Sequence, residues 1–170
     1  MPNPTTIAEL VKLSKSGKPG GIDNWGDDGV NCYAFAVNCP NPKNGKPNPG
    51  GAARPAGGWT NLKLAQGAEA DGLKKLGWPE HLQKNKIPNG YHLVAGYVSE
   101  DGGDHHWYRQ DPATGYWVHK PGANQVKNFG AKIGDLLGTD LSKFDHAAVM
   151  QGTKYVFADY FLCPSGGLKI

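Results

Sequence analysis

Hydrophobic residues in this chain fall into short blocks separated by long polar stretches. The first patterned block, Thr6-Ile7-Ala8-Glu9, has the form of a capping box, and Ile7, Leu10 and Val11 add a narrow apolar stripe. That predicts a helix from Thr6 to about Ser14, followed by a loop from Gly17 to Gly29. Asn31 then stands as an N-cap before Cys32, and Tyr33, Ala34, Phe35, Ala36 and Val37 are apolar on every side. A helix of that kind runs through a core, and Cys39-Pro40 is expected to end it. From Asn41 to Trp59 the density of Pro and Gly predicts a wrapped surface loop of the length that lines sites in compact domains. Thr60-Asn61 caps a longer helix carried by Leu62, Ala65, Ala68, Leu73 and Leu76 and stopping at Gly77-Trp78-Pro79, with Gly67 and Gly72 as weak points inside it.

The second half changes period. Tyr91 to Ser99 is apolar on both faces and predicts a central strand. His105 to Gln110 and Tyr116 to Lys120 predict two strands of a hairpin around Asp111-Pro112-Ala113-Thr114-Gly115. Ala131 to Leu137 reads as a short helix, and Ala147 to Met150 and Tyr155 to Leu162 as closing strands. With no repeat and no linker composition, residues 1–170 read as a single α+β domain.

Composition narrows the class. Hydrophobic residues at 38% and charged residues at 19% exclude a disordered chain. A net charge of +3 without a Lys/Arg cluster argues against a nucleic-acid partner. No run approaches the roughly 20 apolar residues of a membrane span, and Met1 to Gly20 has no apolar core of a secretory signal. The expectation is a soluble protein without membrane insertion. Three cysteines, Cys32, Cys39 and Cys163, make no disulfide framework. Helical spacing would hold Cys32 and Cys39 about 10 Å apart, too far to bridge, while Cys39 with Cys163 stays open.

The chemistry concentrates in Cys32 and a set of histidines. A thiol in the first turn of a helix meets orphan N–H groups and the positive end of the helix dipole, so its pKa is expected to fall. Strand alternation puts His106, Tyr108 and Gln110 on one face and His105, Trp107 and Arg109 on the other. His119 falls on the His106 face, directly opposite for a two-residue loop and diagonal for a four-residue one. Cys32 as nucleophile, His106 as general acid and base, and His119 as the residue fixing the His106 tautomer make a consistent set. The Cys32 amide supplies one oxyanion donor, with Asn24 or Asn31 as the second. His105 is the rival base. His146 beside Asp145 is a separate pair, and His81 and His92 read as structural or surface residues.

A cysteine opening a buried helix, a strand histidine in Asp104-His105-His106-Trp107-Tyr108-Arg109 and a polar residue one strand later resemble the papain-like cysteine peptidase superfamily. The compact bacterial branch that cuts peptidoglycan peptides and amides, the CHAP amidases and their relatives, is nearest in size and order over roughly Asp23 to Gly122. Asn-Cys-Tyr, Asp-x-His-Trp-Tyr-Arg and His-Lys-Pro-Gly also resemble a group of uncharacterised bacterial and toxin-like domains. The resemblance implies a papain-like fold, a Cys32, His106, His119 triad and no cofactor. It implies a peptidoglycan or peptide substrate and, for an antibacterial effector or lysin exported by a dedicated secretion system, an immunity protein as partner. Asn-Cys-Tyr stands where many cell-wall endopeptidases have Asp-Cys-Ser/Gly, which bears on the substrate more than on the mechanism.

Other readings come from the same residues. A papain-like toxin could cut or deamidate a host protein. Cys32, His106 and His119, with Asp104 nearby and a water completing four-coordination, are also an acceptable zinc trio, although their spacing fits no short-range Cys/His signature. Five Trp and seven Tyr could instead furnish a non-catalytic glycan- or peptide-binding module.

Overall fold

The computed structural model describes residues 30–43, 45–51, 53–77, 87–110, 117–120, 127–128 and 153–170. They form an α+β fold with two helices, α1 (Cys32–Ala36) and α2 (Asn61–Ala70), and six strands. The strands are β1 (Lys74–Gly77), β2 (Tyr91–Ser99), β3 (His105–Gln110), β4 (Trp117–His119), β5 (Lys127–Asn128) and β6 (Tyr155–Pro164). Every pairing is antiparallel, in the order β1-β6-β2-β3-β4-β5.

The apolar run of β2 explains its place inside the sheet between β6 and β3. Val94 and Val98 join Trp107, Phe161 and Cys163 in a layer that receives Tyr33 and Ala36 of α1 and Leu64, Ala65 and Ala68 of α2. Leu93, Ala95 and Tyr97 face the other way, with Tyr108, Trp117 and Tyr160. Both helices therefore cover one face, and aromatic residues fill the other. Each large side chain so buried stabilises the fold by roughly 1.5–3 kcal/mol relative to exposure.

Several boundaries differ from the sequence reading. The second helix ends at Ala70, because Asp71 caps it and Gly72 turns the chain at φ 108°. Leu73 then enters the helix-side core, and the next residues, expected as helix, form edge strand β1 instead. Gly67 lies inside the helix and is required there by a neighbour: a Cβ would lie 2.5 Å from the Pro49 carbonyl oxygen. The cysteine helix has five residues and closes at Val37, with Asn38 in the left-handed region at φ 54°, before Cys39-Pro40 is reached. Strand β5 had no sequence signal. The Thr6 to Ser14 and Ala131 to Leu137 helices and the Ala147 to Met150 strand lie outside the described residues.

The β3–β4 register pairs Tyr108 with His119 and Gln110 with Trp117. His106 and His119 are thus diagonal neighbours on one face, the arrangement expected for the longer loop. All three cysteines are buried free thiols, so Cys39 and Cys163 do not pair. Among the described residues no helix is long and apolar enough to cross a membrane.

Candidate active site

Asn31 fixes where the cysteine helix begins. Its extended backbone stops the helix on the N-terminal side, and its Oδ1 accepts the Ala34 N–H at 3.0 Å. Its Nδ2 donates to the Pro47 carbonyl at 2.7 Å, tying the Pro/Gly-rich loop to the helix start. One Nδ2 hydrogen is thereby engaged in structure, and the other is the one Asn31 could offer an oxyanion. Asn24 lies outside the described residues.

The far end of α1 is gripped from the sheet. Arg109 of β3 donates through Nη1 to the Phe35 carbonyl at 3.2 Å and stacks its guanidinium 4.1 Å above the Phe35 ring. His92 of β2 donates through Nε2 to the Ala36 carbonyl at 2.7 Å. Burial pushes the His92 pKa down to about 4, so it grips the helix as a neutral ring. A cation and an N–H at the carbonyl end suit the helix dipole and prevent a short helix from sliding. The Cys32 position is set by these two side chains as much as by its cap.

At the near end the sulfur meets the backbone of β3. Sγ lies 3.8 Å from the His105 carbonyl, and the Trp107 amide donates toward it. These two groups point to the same edge of the strand, because alternate residues direct their backbone polar groups alike. On that edge, among the described residues, β4 pairs with Tyr108, Arg109 and Gln110. The buried thiol thus lies beside the peptide groups on either side of His106.

The expectation of a lowered thiol pKa is overturned. Burial, followed by the negative charge of Asp104, pushes Cys32 up to about 12, and the amides of Trp107, Tyr33 and Cys32 oppose this without winning. The physical reason is that five residues of helix supply only a weak dipole, whereas the side chain is almost wholly removed from water. The resting state is therefore a thiol.

His106 and His119 are both buried, with His106 Nε2 hydrogen-bonded to His119 Nδ1 at 2.8 Å. Tyr108 stacks on His119 at 4.9 Å and meets His106 edge-on at 4.9 Å, while Tyr155 approaches His106 edge-on at 6.0 Å. Burial raises the hydroxyl pKa of both tyrosines, and the Cys32 charge adds to the effect in each case. The thiol is thus within electrostatic reach of the rings that surround the histidine pair. The structure joins these two imidazoles, but on the Tyr108 face of the sheet, whereas Cys32 packs with α1 on the opposite face, which His105 shares with Trp107. Among the described residues the thiol's hydrogen-bond partners are backbone groups of β3 and of the first turn of α1, not an imidazole nitrogen.

His105, the rival base, has a different environment. It shares the helix-side face with Trp107, donates through Nε2 to Asn48 Oδ1 at 3.0 Å and meets Trp59 edge-on at 4.8 Å. Burial lowers its pKa to about 4, with Asp104 opposing. Its buried Nδ1 has no hydrogen-bond partner. Asn48, Trp59 and Tyr155 were not singled out in the sequence, and Asp104 entered only beside the zinc reading. The length of the 41–59 loop was the one available signal, and it covers only the first two.

His146 and His81 lie outside the described residues. Among those described, no group of three or more His, Cys, Asp or Glu side chains is placed to hold a metal ion, so the zinc reading finds no ligand set there. No protein-family model, curated protein or solved structure matches this chain.

Proposed function

We propose that this chain is a papain-like cysteine hydrolase that cleaves an amide or peptide bond, with Cys32 as nucleophile, His106 as general acid and base and His119 as the orienting residue. The observation that carries the reading is the 2.8 Å His106–His119 hydrogen bond, set in a cluster of aromatic rings beside the strand edge that holds the Cys32 sulfur. In this reading His119 engages Nε2 of His106, and the sulfur, held beside the backbone of β3, exchanges its proton with the His106 ring. His119 then fixes the ring and its tautomer, as the third member of a triad does.

Because the resting thiol is protonated, attack is coupled to proton transfer. Substrate expels water, the Sγ proton passes to His106 as sulfur bonds to the acyl carbon, and the imidazolium then protonates the departing amine. Water, deprotonated by the same ring, releases the acyl group. The Cys32 amide at the start of α1 is one donor to the oxyanion.

Peptidoglycan stem peptides and amides are the leading substrate, following the resemblance to compact cell-wall amidases. An antibacterial effector or lysin with an immunity partner is the corresponding role. The test is release of new amino groups from purified sacculi by wild type, Cys32→Ala and His106→Ala. Release by wild type alone supports the reading. Equal release by all three overturns it.

A further inference from the structure

One carboxylate near the thiol has no role in that chemistry. Asp104 is exposed and stands immediately before His105, whose carbonyl is 3.8 Å from Sγ. Its Oδ1 accepts the His105 N–H and its Oδ2 the Tyr155 hydroxyl, each at 2.8 Å. Both donors are neutral. Among the described residues Asp104 forms no ion pair, and the links that close the β2–β3 turn use its backbone: its N–H donates to Ser99 Oγ and its carbonyl accepts from Ser99 N. The turn therefore does not require the carboxylate.

The neighbouring Asp101 is the contrast. Its Oδ1 accepts from Ser99 Oγ and from the Gly103 amide, both at 2.7 Å, and the Arg54 cation lies close enough to favour its charge. Asp101 is an occupied turn-capping residue. Asp104 places a negative charge where it opposes thiolate formation, a direct cost to a nucleophile. A cation seated on Asp104 would remove that opposition at the moment of binding.

Resting on the hydrolase reading above, the geometry points to Asp104 as a specificity-determining residue. It receives a cationic group, an ammonium or guanidinium, carried by the substrate beside the scissile amide. Tyr155 holds the carboxylate in place and leans on His106, so that the occupied subsite adjoins the catalytic pair. The substrate class is accordingly an amide flanked by a free amine or a basic side chain, and an acidic flank is disfavoured.

The test needs no substrate. Cys32 is modified with a cationic reagent, 2-aminoethyl methanethiosulfonate, and an anionic one, 2-sulfonatoethyl methanethiosulfonate, with peptide mapping to assign the site. The cation-to-anion rate ratio is compared with that of the urea-unfolded protein. The expected ratio for the folded protein is about tenfold above that reference at low salt and shrinks in 1 M salt. It should fall to the reference in Asp104→Asn and persist in Asp104→Glu and Asp101→Asn. A folded wild type with the reference ratio, or a ratio unchanged in Asp104→Asn, overturns the assignment while leaving the nucleophile in place. A Cys32 inert to both reagents leaves no reachable thiol beside Asp104 and overturns the assignment as well, while the hydrolase reading falls separately if sacculi are cut equally by wild type, Cys32→Ala and His106→Ala.

Discussion

Two adjacent histidines of β3 sit in unlike surroundings. His106 faces His119 and a cluster of tyrosine rings, bonded nitrogen to nitrogen. His105 faces the helices, donates to a loop amide and abuts Trp59. The difference is one of partner chemistry. An imidazole bonded to another imidazole has a neighbour that can accept or donate a proton as it cycles. An imidazole bonded to the Asn48 carbonyl oxygen, with its pKa held near 4 by burial, is kept neutral around pH 7. The first pair suits proton transfer; the second suits holding the loop against the helix start. A one-residue change along a strand exchanges these environments completely.

The sharpest way to break the comparison is to remove each imidazole. His106→Ala and Cys32→Ala are each expected to lower amide cleavage by a factor of at least about 10³ with far-UV and near-UV spectra intact. His119→Ala should cost less, roughly 10- to 100-fold, because water can take over part of an orienting role. His105→Gln should stay within a few-fold of wild type. Loss of activity in His105→Gln with retention in His106→Ala would reverse the roles and make the Asn48 pair the catalytic one.

Acid stability probes the opposite side of the same comparison. His92 and His105 are held neutral, with pKa values near 4 against an ordinary value of 6.5. A depressed pKa contributes stability that is present above pH 6.5 and lost as pH falls toward 4, since only the unfolded chain takes up the proton in that window. The shifts correspond to roughly 3 kcal/mol per ring. Urea unfolding at pH 7 and pH 4.5 should therefore show a drop of several kcal/mol, and His105→Gln should remove about half of it. The raised thiol pKa works at the other extreme: Cys32 and Cys163, both pushed up to about 12 by burial, contribute stability below pH 9 that is lost as pH rises toward 12.

Local signals in the sequence reached a definite limit. Asn31 before Cys32 was legible because a cap and its helix are contiguous, and the shared face of His106 and His119 because strand alternation is strict. The span of β2 followed from an unbroken apolar run. The conversion of residues 74–77 to strand was not legible, since a single backbone turn at Gly72 outweighs a helical pattern of leucines. Nor was the thiol's ionisation: the helix start is local, whereas burial is tertiary and here the larger effect. Asn48 joins the site from 57 residues away, and Tyr155 reaches Asp104 across 51, distances over which no spacing rule operates.

The smallest expected effect concerns Asn31, which touches both sides of the comparison. Its Oδ1 caps the helix that carries the thiol, and its Nδ2 anchors Pro47, next to the Asn48 that holds His105. Loss of a cap costs about 1 kcal/mol, and loss of a part-buried hydrogen bond adds about as much again. Asn31→Asp keeps the cap, and its charge at the helix start is favourable, but it cannot donate to the Pro47 carbonyl. Denaturant unfolding should therefore rank wild type above Asn31→Asp above Asn31→Ala, over a span of about 2 kcal/mol. If Asn31→Asp matches Asn31→Ala, the loop anchor carries the effect and the cap adds nothing. If it matches wild type, the cap carries the effect, and the tie between the Cys32 helix and the His105 loop is a contact without energetic weight.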